Sequence, residues 1–156
     1  EVKAVCVSLT QFSNGYTIDL DRLSRLTREM RKWLIVDAIQ AAGQVPIDVK
    51  KTPVDFLATG AQKWLLSPWG TGFLYVRQAL IEAVYPTFAG WASFKGTDDY
   101  SRLTAYDPRP WDDARRFEVI TLPGQDFAAM NESLELILEL GVGQIAAHLR
   151  DLRRPV

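Results

Sequence analysis

The strongest constraint on the fold is a series of short apolar runs, rich in β-branched and aromatic residues, each ending in polar or small residues. The first, Ala4-Val5-Cys6-Val7-Ser8-Leu9, is nearly continuous in its apolarity. That is the pattern of a strand buried on both faces in a parallel sheet. Trp33-Leu34-Ile35-Val36 is a second such run and stops at Asp37. Residues 54–58, Val-Asp-Phe-Leu-Ala, predict a third strand, and Phe73-Leu74-Tyr75-Val76 a fourth. Between the first two runs a helix is expected. Asp19 or Asp21 caps its start, Leu23, Leu26 and Met30 recur at helical spacing, and Arg22, Arg25 and Arg28 line a solvated face. The reading is therefore an α/β domain built on a mainly parallel sheet.

Punctuation marks the remainder. Pro46 and Pro53 exclude a central strand from the intervening segment. Residues 86–118 are aromatic, proline-containing and aperiodic, a loop expected to serve function or to lie on a partner surface. From Asp126, the residues Phe127, Met130, Leu134, Ile137, Leu138 and Leu140 predict an amphipathic helix that stops at Gly141, and a second helix follows to about Leu152. Pro155 then marks an exit from the helix, and the opening at Glu1, directly ahead of a strand, suggests a cut end.

Several function classes are disfavoured. The 18 basic and 19 acidic side chains leave a net charge of −1, without the basic surplus that nucleic acid or anionic lipid selects. No apolar run approaches the roughly 18 residues of a membrane span. Cys6 and His148 are the only cysteine and histidine, so neither a disulfide framework nor a Cys/His zinc site is expected, and Cys6 reads as a buried structural thiol. The pairs Asp98-Asp99 and Asp112-Asp113 read as solvated loop acids, so no metal is expected. Gly60-Ala61-Gln62-Lys63 lacks P-loop spacing, and Gly70-Thr71-Gly72 leads into a strand, so nucleotide binding is unsupported.

Asp37, Gln40 and Lys63 form a sharper set. An acid ends one strand, an amide follows three residues later, and a lysine stands in the turn after the next strand; adjacent parallel strands would bring all three to one edge. Desolvation among apolar neighbours would disfavour the lysine's ammonium form and favour the nucleophilic amine that imine chemistry requires. A carboxylate suits a pyridinium nitrogen, which it keeps protonated. Gln40 could donate to a phenolate oxygen. Taken alone, these residues are better read as a snorkelling lysine and a helix-capping aspartate.

The stretches VDAIQAAGQVPIDV at 36–49 and VDFLATGAQKWLLSPWGTGFLYVR at 54–77 resemble the cofactor core of the class V aminotransferase family. The resemblance extends to Ser13-Asn14 and to Arg116-Phe117-Glu118. It implies a pyridoxal 5'-phosphate (PLP) enzyme of fold type I, acting on an amino-acid substrate through a Lys63 aldimine. Asp37 would face the pyridine nitrogen, Gln40 the phenolic oxygen, and Asn14 would lie beside the ring. Gln62 stands where the family places a phosphate contact, often His or Tyr. Gly60 replaces a common phosphate-binding serine, a contact that Thr59 would have to supply. Gly90-Trp91 resembles a kynureninase step that reaches the phosphate across a dimer, and Thr71 would likewise serve the neighbouring subunit.

The resemblance further implies a cytoplasmic homodimer with a shared active site. Residues 1–141 would form the central and later part of a large PLP-binding domain, and 142–156 a connection toward a C-terminal small domain outside this chain. Cysteine desulfurase, kynureninase-like lyase and isopenicillin N epimerase-like activities are the alternatives to a class V aminotransferase-like reaction, and a non-catalytic α/β fragment is the alternative to an enzyme.

Overall fold

The computed structural model describes residues 2–102, 104–105 and 107–152. Four strands, β1 (Ala4–Ser8), β2 (Trp33–Asp37), β3 (Phe56–Gly60) and β4 (Gly72–Val76), lie in one sheet in the order β1-β2-β3-β4. The first three are parallel, with Ser8 level with Asp37 and Asp37 level with Ala58. Gly72, at the start of β4, packs on Thr59, and the Ala61 N–H donates to the Thr71 carbonyl (2.9 Å), so β4 runs back along the end of β3. The α/β fold with a mainly parallel sheet is thus present. The chain divides into two compact units, residues 1–74 with 124–156, and residues 75–123.

In the first unit, alternation along the strands assigns the two sheet faces. Leu34, Val36, Leu57 and Thr59 are buried on one face. Cys6, Ile35, Phe56 and Ala58 share the other through the register, and there Trp33 meets Phe56 edge to face at 5.9 Å. The expectation that β1 is buried on both faces is not met. Among the described residues β1 has a neighbouring strand on one side only, and Cys6 is exposed on the more open face rather than buried. The third strand is displaced from the predicted 54–58 because Asp55 belongs to its entry: its carboxylate accepts the Leu34 N–H (2.7 Å) and its own N–H donates to the Leu34 carbonyl (3.0 Å). Thr59 and Gly60, read as turn, continue the strand.

Helix α1 (Leu20–Glu29) is capped by Asp19, whose side chain accepts the Arg22 N–H at 2.9 Å. Arg22, Arg25 and Arg28 are exposed as expected. The packed face, however, is marked by Ser24 and Thr27, while Leu26 and Met30 are exposed. The Ser24 hydroxyl reaches across to the Pro53 carbonyl (2.6 Å), so a small polar residue permits the close approach that a leucine would block. The helix ends through Arg31 at φ +53°, with the Lys32 N–H returning to the Thr27 carbonyl.

Helices α2 (Gly124–Leu140) and α3 (Val142–Leu152) follow the predicted bounds closely, with Gly141 at φ +80° between them. Met130 and Ile137 are the buried residues of α2; Leu138 and Leu140, read as part of its apolar stripe, are exposed because they project away from the face that packs. The exit at residues 153–156 and the opening residue lie outside the described residues. Among the described residues no helix is long and apolar enough to cross a membrane.

The second unit contains short 3-10 turns at Trp91–Ser93, Tyr100–Arg102 and Ala114–Phe117, joined by a bridge between Phe94 and Pro110. Its hub is Ser93, fully buried, whose hydroxyl oxygen accepts the Gly90 N–H (3.1 Å) and whose proton goes to the Glu118 carbonyl (2.5 Å). Gly90 lies against the Val119 backbone, where any side chain would collide.

Candidate active site

Three loops leave the C-terminal ends of the three parallel strands, the edge at which ligands bind in open α/β sheets. After β1, the chain makes an excursion from Thr10 to Thr17, closed by a bridge between those residues, with Gly15 at φ +69°. It carries Phe12, Ser13 and Asn14 into solvent. Asn14 Oδ1 accepts the Tyr16 N–H at 3.0 Å, a short-range turn that fixes the tip.

β2 delivers Asp37 half-buried, with both carboxylate oxygens engaged. The Ser8 hydroxyl donates to Oδ2 at 3.1 Å, and the Ile39 N–H donates to Oδ1 at 2.9 Å. A tight turn of buried small residues follows, Ala38, Ala41 and Ala42, in which the Ala41 and Ala42 N–H groups return to the Ala38 carbonyl. Gln40 is half-buried on this turn, and its backbone carbonyl accepts Gln44 Nε2 at 2.5 Å.

After β3, residues 61–71 fold into a knot of backbone hydrogen bonds that holds Lys63. The Ser67 N–H donates to the Ala61 carbonyl (3.0 Å), and the Leu66 N–H to the Lys63 carbonyl (3.1 Å). Leu66 takes φ +54°, a left-handed conformation that leucine rarely adopts, and its carbonyl accepts the Ser133 hydroxyl of α2 at 3.0 Å. The Lys63 Nζ stands 5.6 Å from the centre of the Phe12 ring and, among the described residues, is in no ion pair. Gln62 folds back over Gly60, filling the space that a side chain there would take. Thr71 is buried at the base of the loop, its hydroxyl donating to the Pro68 carbonyl at 2.7 Å.

The loops are in mutual contact. Lys63 meets Phe12 of the first loop, and Gly43 of the second lies against the backbone of Trp64 in the third. Asp37, Gln40, Lys63, Asn14 and Gln62 therefore belong to one edge of the sheet. Thr71 lies at the foot of the lysine loop, with its hydroxyl already used. Trp91 belongs to the second unit, where it meets Tyr100 edge to face at 5.9 Å. There it lines an open cleft of about 250 Å³ together with Trp111 and Arg115. Arg115 stacks 3.8 Å over Trp111 and pairs with Asp113, which that contact holds below the usual carboxylate range. Two further loop acids are engaged, Asp99 by Ser101 and Asp112 by Lys95 at 2.5 Å. Among the described residues no cluster of three or more His, Cys, Asp or Glu side chains could hold a metal.

Ser8, Phe12 and Gly43 were not singled out from the sequence. Ser8 carries a signal only once the register is known, since it is the last residue of β1 and stands level with Asp37. Ala41-Ala42-Gly43 is a run of small residues, the usual mark of a close backbone approach.

The profile described as Aminotransferase class-V matches residues 1–155. The chain is 33% identical over 152 residues to the uncharacterized aminotransferase YcbU of Bacillus subtilis, covering 97% of this chain and 39% of that protein. The apo structure of a cysteine desulfurase from Thermococcus onnurineus superposes with a TM-score of 0.77 and 25% identity, covering 90% of this chain and 34% of the other. A variant of C-DES with glycine covalently linked to its PLP cofactor gives a TM-score of 0.76 and 26% identity, over 89% of this chain and 36% of the other. The chain thus spans between a third and two-fifths of the length of these relatives.

Proposed function

The chain belongs to the class V aminotransferase family, and from that premise we propose that it forms the core of a PLP site in an enzyme that acts on an amino acid. The observation that carries the reading is the placement of Asp37 at the C-terminal end of β2 and of Lys63 in the loop that leaves the adjacent parallel strand β3. The carboxylate there is held by two donors, and the lysine is free of any carboxylate among the described residues. That donor set fits PLP: an acid for the ring nitrogen and an amine for the aldehyde carbon. The PLP cofactor of the C-DES variant supports the same assignment.

When bound, PLP supplies an electron sink for the pair left at the substrate's Cα. Asp37 would hold a proton on the ring nitrogen, its charge favouring the protonated ring. Gln40 would donate its side-chain N–H to the phenolic oxygen, and Asn14 would stand beside the ring. Gln62 would donate to the phosphate, with Trp91 contributing toward the same group, in a homodimer, across the subunit boundary; Thr71 would join it only by giving up its bond to the Pro68 carbonyl. Lys63 Nζ would anchor the cofactor and, once the substrate's amine has replaced it, accept the Cα proton and return it. We assign these roles to a cytoplasmic, class V aminotransferase-like enzyme.

A second reading, lyase or desulfurase chemistry on cysteine or cystine, is favoured by the structural likeness to a cysteine desulfurase and to C-DES, a cystine C-S lyase. Both readings share the Lys63 test. PLP is added to the complete protein, the adduct is fixed with borohydride, and the modified peptide is mapped by mass spectrometry. Stoichiometric attachment at Lys63, lost in Lys63→Ala, is expected; attachment scattered over surface lysines would overturn the assignment. Products formed from an amino-acid panel then separate the two chemistries.

A further inference from the structure

Asp37 can serve a ring nitrogen only if its carboxylate plane is fixed, and the side chain does not fix it alone. The terminal torsion of aspartate is broad and roughly two-fold, so one hydrogen bond leaves the second oxygen free to swing. The first donor is local: the Ile39 N–H at 2.9 Å from Oδ1, supplied by the turn that follows β2. The second comes from a different strand. Ser8 is the last residue of β1, level with Asp37 in the parallel register, and on the same sheet face. Its hydroxyl donates to Oδ2 at 3.1 Å. The Leu9 N–H donates to the Asp37 carbonyl at 2.9 Å, so the backbones are tied at the same level and the hydroxyl cannot drift away from its acceptor.

We infer that Ser8 is a positioning residue for the cofactor site, acting through Asp37 by holding Oδ2 while the following turn holds Oδ1. This rests on the reading of Asp37 as the partner of the PLP ring nitrogen, and it adds the residue that aims it. Ser8 needs no contact with cofactor or substrate. A hydroxyl suits the place because it donates to a carboxylate without carrying charge that would compete with a cationic ring.

The test is a thermodynamic cycle on the complete protein. PLP affinity is measured by absorbance titration for the unsubstituted protein, Ser8→Ala, Asp37→Asn and the double variant, with thermal unfolding recorded for each. Ser8→Ala is expected to weaken PLP binding by about tenfold, the scale of one hydrogen bond to a charged group. Ser8→Thr, which keeps the hydroxyl, restores binding. In the Asp37→Asn background, Ser8→Ala has no further effect, because the residue acts through the carboxylate. Equal losses in both backgrounds, or unchanged affinity in Ser8→Ala while Lys63 is still labelled, would overturn the inference. If Ser8→Ala does not fold, Ser8→Cys, similar in size and a weaker donor, replaces it in the cycle. Absence of Lys63 labelling in the unsubstituted protein is a separate result: it removes the cofactor reading itself, and this inference with it.

Discussion

Gly43 and Trp64 pack backbone against backbone: at φ +95°, Gly43 turns its bare Cα toward the Trp64 carbonyl, and a Cβ there would lie 2.5 Å from that oxygen. The turn that follows Asp37 is thereby seated against the residue next to Lys63. Gly43→Ala meets both a left-handed backbone and a backbone clash, so a loss of about 2–4 kcal/mol is expected in urea unfolding. Lys63 labelling by PLP should fall with it, because the lysine turn must move to admit the methyl group. An unchanged unfolding midpoint would show that the two loops are not coupled here.

Leu66 offers the opposite test. Its left-handed backbone carries strain that glycine would not, and its side chain is 63% exposed, so little burial is lost on removal. Leu66→Gly is expected to stabilise the chain by about 0.5–1 kcal/mol in the same measurement, after glycine's own entropic cost. Ser133→Ala, which frees the Leu66 carbonyl from α2, should cost stability by up to about 1 kcal/mol.

On α1 the buried polar residue matters more than the exposed apolar one. Ser24→Ala leaves the Pro53 carbonyl without its donor and should cost about 1–2 kcal/mol. Leu26→Ala, at an exposed position of the same helix, should stay within about 0.5 kcal/mol in this chain. Reversal of that order in chemical denaturation would mean that the packed face has been misassigned.

In the second unit, the Arg109 guanidinium and backbone N–H hold the Asp107 carboxyl well below its ordinary 3.8, at about 2. Its folded value lies under the unfolded one, so its contribution to stability is present above pH 3.8 and is lost as pH falls through about 2. Both groups are exposed, so the effect on global stability is small and screened by salt. Carboxyl titration followed by NMR should place the Asp107 midpoint near 2 in the unsubstituted chain. Arg109→Ala should return it toward 3.8.

The strands were legible because each is an apolar run bounded by polar or small residues, and Asp37 and Lys63 were legible because each stands just past such a run. Which face of an element is covered was not. Cys6 and Leu26 have the side chains of buried residues, but burial depends on what another part of the molecule lays over them, which local periodicity does not encode. Ser24 and Thr27 show the reverse, since hydroxyls whose hydrogen bonds stay within the protein occupy a packed face. In the site, Ser8 and Phe12 acquire meaning only through neighbours distant in sequence. Gln62 and Gly60 show the same limit: the glycine reads as a lost contact until the glutamine is seen folded over it.

The strand order has a kinetic side. Each strand of the sheet neighbours the one before it in the chain, so the ladder can lengthen by successive closures of modest loops, without waiting for a distant segment to arrive. β2 docking on β1 already brings Ser8 to Asp37, whereas the lysine turn takes shape only once β3 and the returning β4 are in place. The acidic half of the edge is therefore expected to be assembled before the basic half during folding, and slowing the addition of β3 should trap a state in which the carboxylate is set and the amine is not.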